Sequence, residues 1–442
     1  NFEEMYYYRW WSLRKHIKET PVGYGMTEFL VQRSYSDKYN LIACAIGHHI
    51  YESRWLRDPK YLDQIIHTWY RGNDGGPMKK MDKFSSWNAD AVLARYMVDG
   101  DKDFMVDMKK DLETEYQRWE RTNRLKNGLY WQGDVQDGME ESISGGRKKK
   151  YARPTINSYM YGNAKALSCM GILSGDEGMA MKYDMKADTL RNLVENELWN
   201  TRHQFFETMR TDSSANVREA IGYIPWYFNL PDTTKKYEIA WKEIMDENGF
   251  SAPYGLTTAE RRHPEFRTRG VGKCEWDGAI WPFASAQTLT AMANFMNNYP
   301  QTVLSDSVYF RQMELYVESQ YHRGRPYIGE YLDEVTGYWL KGDQERSRYY
   351  NHSTFNDLMI TGLIGLRPRL DNTIEVNPLI PVDKWDWFCL DNVLYHGHNL
   401  TILWDKNGDR YHCGKGLRIF VDGKEVAHAD TLTRIVCTNV LE

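Results

Sequence analysis

The chain has 442 residues, of which 56 are basic and 61 acidic, so its formal net charge is −5. This length suits one large domain, or one large and one small domain, and 42% hydrophobic residues supply a sizeable core. The slightly acidic balance argues against a nucleic-acid or anionic-membrane surface, because both need clustered positive charge.

Hydrophobic residues recur with helical spacing up to about residue 366. Leu62, Ile65 and Trp69 fall on one helical face, and residues 105–119 and 190–198 repeat the pattern. Loops of very uneven length, marked by Gly, Asn and Pro, separate these segments. The pattern predicts about ten to twelve helices, stacked as αα-hairpins that carry a site on one rim.

The first segment that is more polar and aromatic than a turn requires is residues 131–146. It holds four acids, Asp134, Asp137, Glu140 and Glu141. A solvated acidic loop is the simpler interpretation. The interleaved apolar side chains, among them Trp131, favour a partly buried loop instead, and burial raises the pKa of a carboxyl toward the range of a general acid.

Residues 153–163 form a second such segment and run directly into a predicted helix. Arg153 and Asn157 offer hydrogen-bond donors for the hydroxyls of a sugar. The alternative is that both side chains cap the helix and satisfy carbonyls of the preceding loop. The sequence leaves these two interpretations open.

The third segment, residues 274–283, combines acids with the aromatic residues Trp276 and Trp281, and includes Asp277. Aromatic residues make up 14% of the whole chain. A large core and a cleft of flat aromatic faces for sugar rings both explain this content. Composition alone does not separate the two explanations.

The fourth segment spans residues 327–357. Glu330 lies between aromatic residues at the start of an irregular loop, followed by Trp339 and by the polar stretch that contains His352. A single carboxylate in such a loop is a weak indication of catalysis. A catalytic role for Glu330 would require a second catalytic carboxyl from another part of the chain.

After Pro368 the pattern changes to short β-type runs at residues 373–376, 399–404 and 417–421. The turn pairs Asn407-Gly408 and Asp422-Gly423 follow the last two runs. We therefore predict a helical domain over residues 1–366 and a small all-β domain over residues 367–442.

Several other functions find no support in the sequence. The longest apolar stretch, residues 358–366, is far shorter than the roughly 20 residues of a membrane span. The cysteines form no C-x-x-C pair and the histidines no H-x-x-x-H motif, so we predict no metal cofactor. A structural Ca²⁺ held by loop carboxylates is left open. The chain starts at Asn1 without a signal-like segment, and we expect a periplasmic or secreted protein whose targeting signal lies outside this chain.

The helical hairpins and several loop motifs together resemble the six-hairpin, (α/α)6-barrel glycosidases. The similarity covers roughly residues 20–366 and is strongest to the group of trehalase, processing α-glucosidase I (family 63) and mannosylglycerate hydrolase. The resemblance rests on four motifs: Leu198-Trp199-Asn200 before Phe205-Phe206, residues 221–225, residues 249–256, and Gly278-Ala279-Ile280-Trp281-Pro282. The resemblance implies a carbohydrate substrate.

The resemblance also implies catalytic residues. Its general acid lies in a Gly-x-Asp-x-Ser context, where this chain has Gly138-Met139-Glu140-Glu141-Ser142, so either Glu140 or the nearby Asp137 is the acid. Its general base precedes a Thr-Gly pair by six residues, which matches Glu330. The family mechanism is inverting, and we expect the two carboxyls roughly 6.5–9.5 Å apart, with Trp131, Trp276, Trp281 or Trp339 beside them.

Two alternatives remain. A phosphorylase on the same barrel would replace the base with a phosphate pocket, for which Arg346, Arg348 and His352 are candidates. A non-catalytic carbohydrate-binding protein would have no need for two opposed carboxyls. The tryptophans of the C-terminal region, Trp385, Trp387 and Trp404, either bind sugar or pack this region onto the barrel.

Overall fold

The computed structural model describes residues 1–269 and 274–441. Its α-helices, in chain order, are α1 (Phe2–His16), α2 (Ile46–Ser53), α3 (Pro59–Arg71), α4 (Asn88–Asp99), α5 (Lys102–Asn123), α6 (Pro154–Ser174), α7 (Glu177–Glu197), α8 (Ile224–Tyr227), α9 (Pro282–Asn298), α10 (Asp306–Ser319) and α11 (Asn356–Leu358). A 3-10 helix spans Tyr237–Ile244, and a π-helical turn at Met359–Leu363 continues α11. Within these residues, none of the helices is long and apolar enough to cross a membrane.

The helices alternate between an inner ring and an outer layer. The inner helices α2, α4, α6, α8, α9 and α11 contact one another in that order, and α11 contacts α2, so the ring is closed. Each inner helix follows an outer segment in the chain, which gives six helical hairpins. This arrangement is the predicted (α/α)6 barrel, and the predicted fold class is confirmed.

The tight links between inner and outer helices are fixed by local sequence. Helices α4 and α6 end at Gly100 and Gly175, whose φ values of 70° and 76° lie in the left-handed region that favours glycine. The next residues, Asp101 and Asp176, accept backbone N–H groups at the starts of α5 and α7. A Gly-Asp pair therefore ends one helix and begins the next.

The strands that precede residue 366 form short antiparallel hairpins in the loops of the barrel. They are β1 (Ile17–Thr20) with β2 (Gly23–Met26), β3 (Trp131–Gln132) with β4 (Tyr151–Ala152), β5 (Trp199–Asn200) with β6 (Phe205–Phe206), β7 (Ser251–Ala252) with β8 (Gly255–Leu256), and β9 (Tyr321–His322) with β10 (Arg325–Pro326). No parallel strand pair occurs in the described part of the barrel, as the sequence predicted.

The C-terminal region is an all-β unit. An antiparallel sheet contains β12 (Trp387–Tyr395), β13 (His398–Asp405), β14 (Gly416–Val421) and β15 (Lys424–Ala429) in that order, and β11 (Ile374–Val376) pairs with β16 (Ile435–Cys437). The predicted runs correspond to β11, β13 and β14, and Asp422-Gly423 makes the β14–β15 turn. Strand β12 was not predicted. The division into domains 1–366 and 367–442 stays a prediction.

The tryptophans of this region differ in their surroundings. Trp385 packs against Phe2 and Phe310 of the helical body, with ring centroids 5.0 and 5.5 Å away. Trp404 is buried and donates its indole N–H to the Trp385 carbonyl over 2.9 Å. Trp387 is 46% exposed and lies against Arg410. The contacts of Trp385 and Trp404 support the packing interpretation.

Close packing inside the ring predicts a specific stability effect. Gly47 of α2 lies against the fully buried ring of Trp87, and a Cβ at this position would approach the ring to 2.2 Å. We expect Gly47→Ala to lower the free energy of unfolding by about 3 kcal/mol, since overpacked cores lose this much. Urea unfolding followed by circular dichroism measures the change.

Gly178 of α7 provides the matched control, because a Cβ there would meet only the Asp176 carboxylate at 3.8 Å. Gly178→Ala should leave stability unchanged or raise it by up to about 1 kcal/mol, as expected in a helix. Equal unfolding midpoints for the two variants would contradict the described contact between α2 and Trp87.

Candidate active site

Three acidic residues meet at one rim of the barrel. Glu28, Glu140 and Glu330 lie in the loops that precede the inner helices α2, α6 and α11. The inner helices of a closed ring of hairpins run in the same direction, so these loops share a rim. Their carboxyls interact. The pKa of Glu140 is raised by burial and then by the charge of Glu330. The pKa of Glu28 is raised by burial and then by the charges of Glu330 and Glu140.

Glu140 has the environment of a general acid. The residue is half-buried, and desolvation is the main cause of its raised pKa. The indole N–H of Trp276 donates to Glu140 Oε2 over 3.3 Å, which fixes the carboxyl but opposes the rise, because the hydrogen bond favours the charged form. The net effect retains the proton to higher pH than in an exposed glutamate.

Glu330 has the opposite environment. Its Oε2 lies 3.3 Å from Nζ of Lys341 and 3.6 Å from a guanidinium nitrogen of Arg346. The Glu330 and Lys341 side chains are both more than nine-tenths buried, so their charges are weakly screened. Two cations beside one carboxylate stabilise its ionised form, which a general base requires.

A stack of aromatic rings lies beside the two carboxyls. Trp276 and Trp281 stack with centroids 4.2 Å apart, and Trp281 stacks on Phe283 at 4.5 Å. The indole N–H of Trp281 donates to Nε2 of His352 over 3.0 Å. Since burial keeps the pKa of His352 well below its usual range, the ring is neutral and its proton is on Nδ1.

Asp137, the alternative acid, has a different role. Its Oδ2 pairs with Arg153 Nε at 2.8 Å and also accepts from Thr155, while Oδ1 accepts from Ser85 over 2.8 Å. The Asp137 and Arg153 side chains are completely buried. Asp137 therefore connects the acidic loop to the start of α6, and its carboxyl oxygens are already bound by protein donors.

Comparison with known proteins identifies the family. Residues 38–353 match the mannosylglycerate hydrolase MGH1-like glycoside hydrolase domain, a match that covers more than half of the chain. The chain belongs to this glycoside hydrolase family. Residues 366–428 match the C-terminal domain of glycosyl hydrolase family 65. The resemblance to the mannosylglycerate hydrolase group predicted from the sequence is confirmed.

Solved structures show the same fold. A structure named "Sialidase" is 95% identical over 99% of this chain with a TM-score of 0.99, and this chain spans only 41% of its length. The GH63 mannosylglycerate hydrolase from Thermus thermophilus in complex with glucose is 12% identical, with a TM-score of 0.61 over 80% of this chain and 99% of its own. A GH78 family rhamnosidase of Bacillus sp. GL1 is 11% identical, with a TM-score of 0.59 over 86% of this chain and 37% of its own.

In this glycoside hydrolase domain, Arg153 and Asn157 direct their polar atoms to the protein. Arg153 also donates to Ser144, and Asn157 both accepts from the Tyr130 N–H over 2.8 Å and donates to its carbonyl over 2.9 Å. Both side chains are fully buried. These contacts favour the structural interpretation over the one in which they bind sugar hydroxyls.

Three further predicted binding residues lie in other surroundings. Trp339 is fully buried and donates to the Tyr321 carbonyl over 3.2 Å. Asp277 accepts from the backbone N–H of Arg269 over 2.9 Å. Trp131 is half-buried in the β3–β4 hairpin under the Lys150 ammonium group, 4.5 Å from its ring. Trp276, Trp281 and His352 lie with the carboxyls. Trp339, Asp277 and Trp131 make the other contacts described above.

Sequence reasoning missed Glu28, Cys274 and the role of Lys341 in this site. Burial, then the charges of Glu140 and Glu330, raises the pKa of the Cys274 thiol to about 12, so this cysteine is a neutral neighbour. Arg346, a candidate for a phosphate pocket, pairs with Glu330, and Arg348 lies against Tyr349. In the described residues, no cluster of His, Cys, Asp and Glu is arranged to hold a metal ion.

Proposed function

We propose that this domain cleaves a glycosidic bond of an oligo- or polysaccharide with inversion of configuration, with Glu140 as general acid and Glu330 as general base. The main support is the contrast between the environments of two interacting carboxyls. Glu140 is half-buried with a raised pKa, and Glu330 lies between two cations. An acid and base pair requires one carboxyl that delivers a proton and one carboxylate that accepts a proton.

The chemistry follows from these protonation states. Glu140 donates its proton to the leaving-group oxygen as the bond from that oxygen to the anomeric carbon breaks. Glu330 removes a proton from a water molecule that attacks the same carbon from the opposite face. Afterwards Glu140 is ionised and Glu330 protonated, and proton exchange with solvent restores both. We expect the carboxyls roughly 6.5–9.5 Å apart, which leaves room for that water.

The aromatic stack holds the acid in place. Trp276 and Trp281 are buried, and Trp276 donates its indole N–H to Glu140 Oε2 over 3.3 Å. Buried rings beside the acid exclude water, which strengthens the interaction between its carboxyl and the reacting atoms.

A substrate screen tests the proposal. The purified chain is incubated with aryl glycosides of common pentoses and hexoses in both anomeric forms, and with plant and host polysaccharides, and sugar release is measured. We expect release from at least one substrate by the wild type and loss of release in Glu330→Gln. Release that persists in this variant would contradict the proposed base and indicate a different catalytic pair.

A further inference from the structure

A third buried carboxyl lies beside the proposed pair, and the two-carboxyl mechanism does not use it. Glu28 follows strand β2 and is only 6% exposed. The charges of both Glu330 and Glu140 act on it. A buried carboxyl close to two others costs folding free energy, so its retention here calls for a role.

One oxygen of Glu28 is satisfied and the other is not. Oε1 accepts from the Tyr350 hydroxyl over 2.7 Å, and the Glu28 backbone carbonyl accepts from the Asn351 N–H over 2.9 Å. These two bonds fix the orientation of the residue against the loop that carries His352. Oε2 is buried and has no hydrogen-bond partner among the described residues.

The surroundings of Glu28 favour its neutral form. Its pKa is raised to about 8, mainly by burial and in part by the charges of Glu330 and Glu140, while the hydrogen bond from Tyr350 acts in the opposite direction. The other titratable groups that face it, Tyr35 and Cys44, have raised pKa values themselves and are uncharged at neutral pH.

The cations near this site are occupied elsewhere. Lys341 and Arg346 pair with Glu330, and the Arg33 guanidinium lies over the rings of Phe29 and Tyr35 at 5.5 Å. A protonated carboxyl carries one O–H donor. Because Oε1 accepts from Tyr350, the O–H of a protonated Glu28 would lie on Oε2, which has no partner among the described residues.

We propose that Glu28 is a specificity-determining residue, which donates a hydrogen bond from Oε2 to a hydroxyl oxygen of the sugar bound between Glu140 and Glu330. This inference rests on the proposed glycosidase function. It explains why Oε2 lacks a protein partner, since a substrate hydroxyl supplies the missing acceptor. Sites that hydrogen-bond a substrate hydroxyl discriminate strongly against sugars that lack it.

Two variants of Glu28 separate this role from the alternatives. Glu28→Gln keeps an acceptor for Tyr350 and a donor in place of Oε2–H, so we expect kcat/KM within about tenfold of the wild type. Glu28→Ala removes the donor and should lower kcat/KM at least about 100-fold. The best aryl glycoside from the screen is the substrate for both.

The kinetic outcomes decide between three roles. A Gln variant as inactive as Glu330→Gln would show that Glu28 acts in its ionised form, which overturns the proposal. An Ala variant with wild-type kcat/KM would show that Glu28 does not contact the substrate, which also overturns it. Melting temperatures of both variants identify losses that come from unfolding, and in that case the Gln variant decides.

An infrared measurement tests the protonation state without any substrate. The difference spectrum between wild type and Glu28→Gln at pH 7 should contain the band of a protonated carboxyl, and this band should disappear with a midpoint near pH 8. In the Glu330→Gln background the midpoint should fall, because one neighbouring negative charge is absent. An ionised carboxylate band at pH 7 would overturn the inference even if glycosidase activity is found. A protonated band without glycosidase activity would overturn the proposed function and, with it, the sugar contact of Glu28.

Discussion

Glu330→Gln should lower kcat at least about 1000-fold while the fold stays intact, within the range lost with a general acid or base. The amide cannot take a proton from the attacking water. It occupies the same volume, and Lys341 and Arg346 still find an oxygen at this position. Steady-state kinetics on the best substrate of the screen, together with thermal unfolding, measures both parts of the prediction.

Glu334→Gln is the matched control in the same loop. Glu334 is also buried, but its carboxyl lies 3.4 Å from Arg267 and not beside the Glu330 cations. We expect its kcat to stay near the wild-type value. A Glu330→Gln enzyme that keeps more than a tenth of wild-type turnover would show that Glu330 is not the base.

Glu140→Gln should lower activity, whereas Asp137→Asn should lower stability. Glu140→Gln should fold normally and lower kcat about 1000-fold on substrates with poor leaving groups, with a smaller loss on nitrophenyl glycosides, whose leaving groups need little protonation. Asp137→Asn should instead lower the free energy of unfolding by about 3 kcal/mol, because it breaks the fully buried ion pair with Arg153.

Kinetics on both leaving-group classes and urea unfolding of both variants measure this contrast. Glu141→Gln is the control, since Glu141 pairs with the exposed side chain of Arg147, and such surface pairs contribute little. A stable, inactive Asp137→Asn together with an active Glu140→Gln would reverse the assignment of the acid.

The helical body was predictable because its signals are local. Spacing such as that of Leu62, Ile65 and Trp69 encodes one buried face, and all three side chains are buried in α3. Strand β12 escaped prediction because its regular pairing with β13 is interrupted between Leu390 and Val393, which hides the alternation of buried and exposed residues.

The sequence revealed a site residue only where a recognisable motif surrounds it. Glu330 and Glu140 lie in such motifs, whereas Glu28 does not. Ring closure brings Glu28 next to Tyr350 and Asn351, more than 300 residues later. Trp131 and Arg153 lie near Glu140 in sequence, yet the β3–β4 hairpin and the ion pair with Asp137 give them other contacts.

The stereochemistry of the first product tests the central claim most directly. Proton NMR during the first minutes of hydrolysis of the best substrate distinguishes the anomer that the enzyme releases from the one that mutarotation forms later. Glu140 and Glu330 acting as acid and base on either side of the bond predict the anomer inverted relative to the substrate. Initial release of the anomer with retained configuration would contradict this mechanism and indicate a covalent glycosyl-enzyme intermediate.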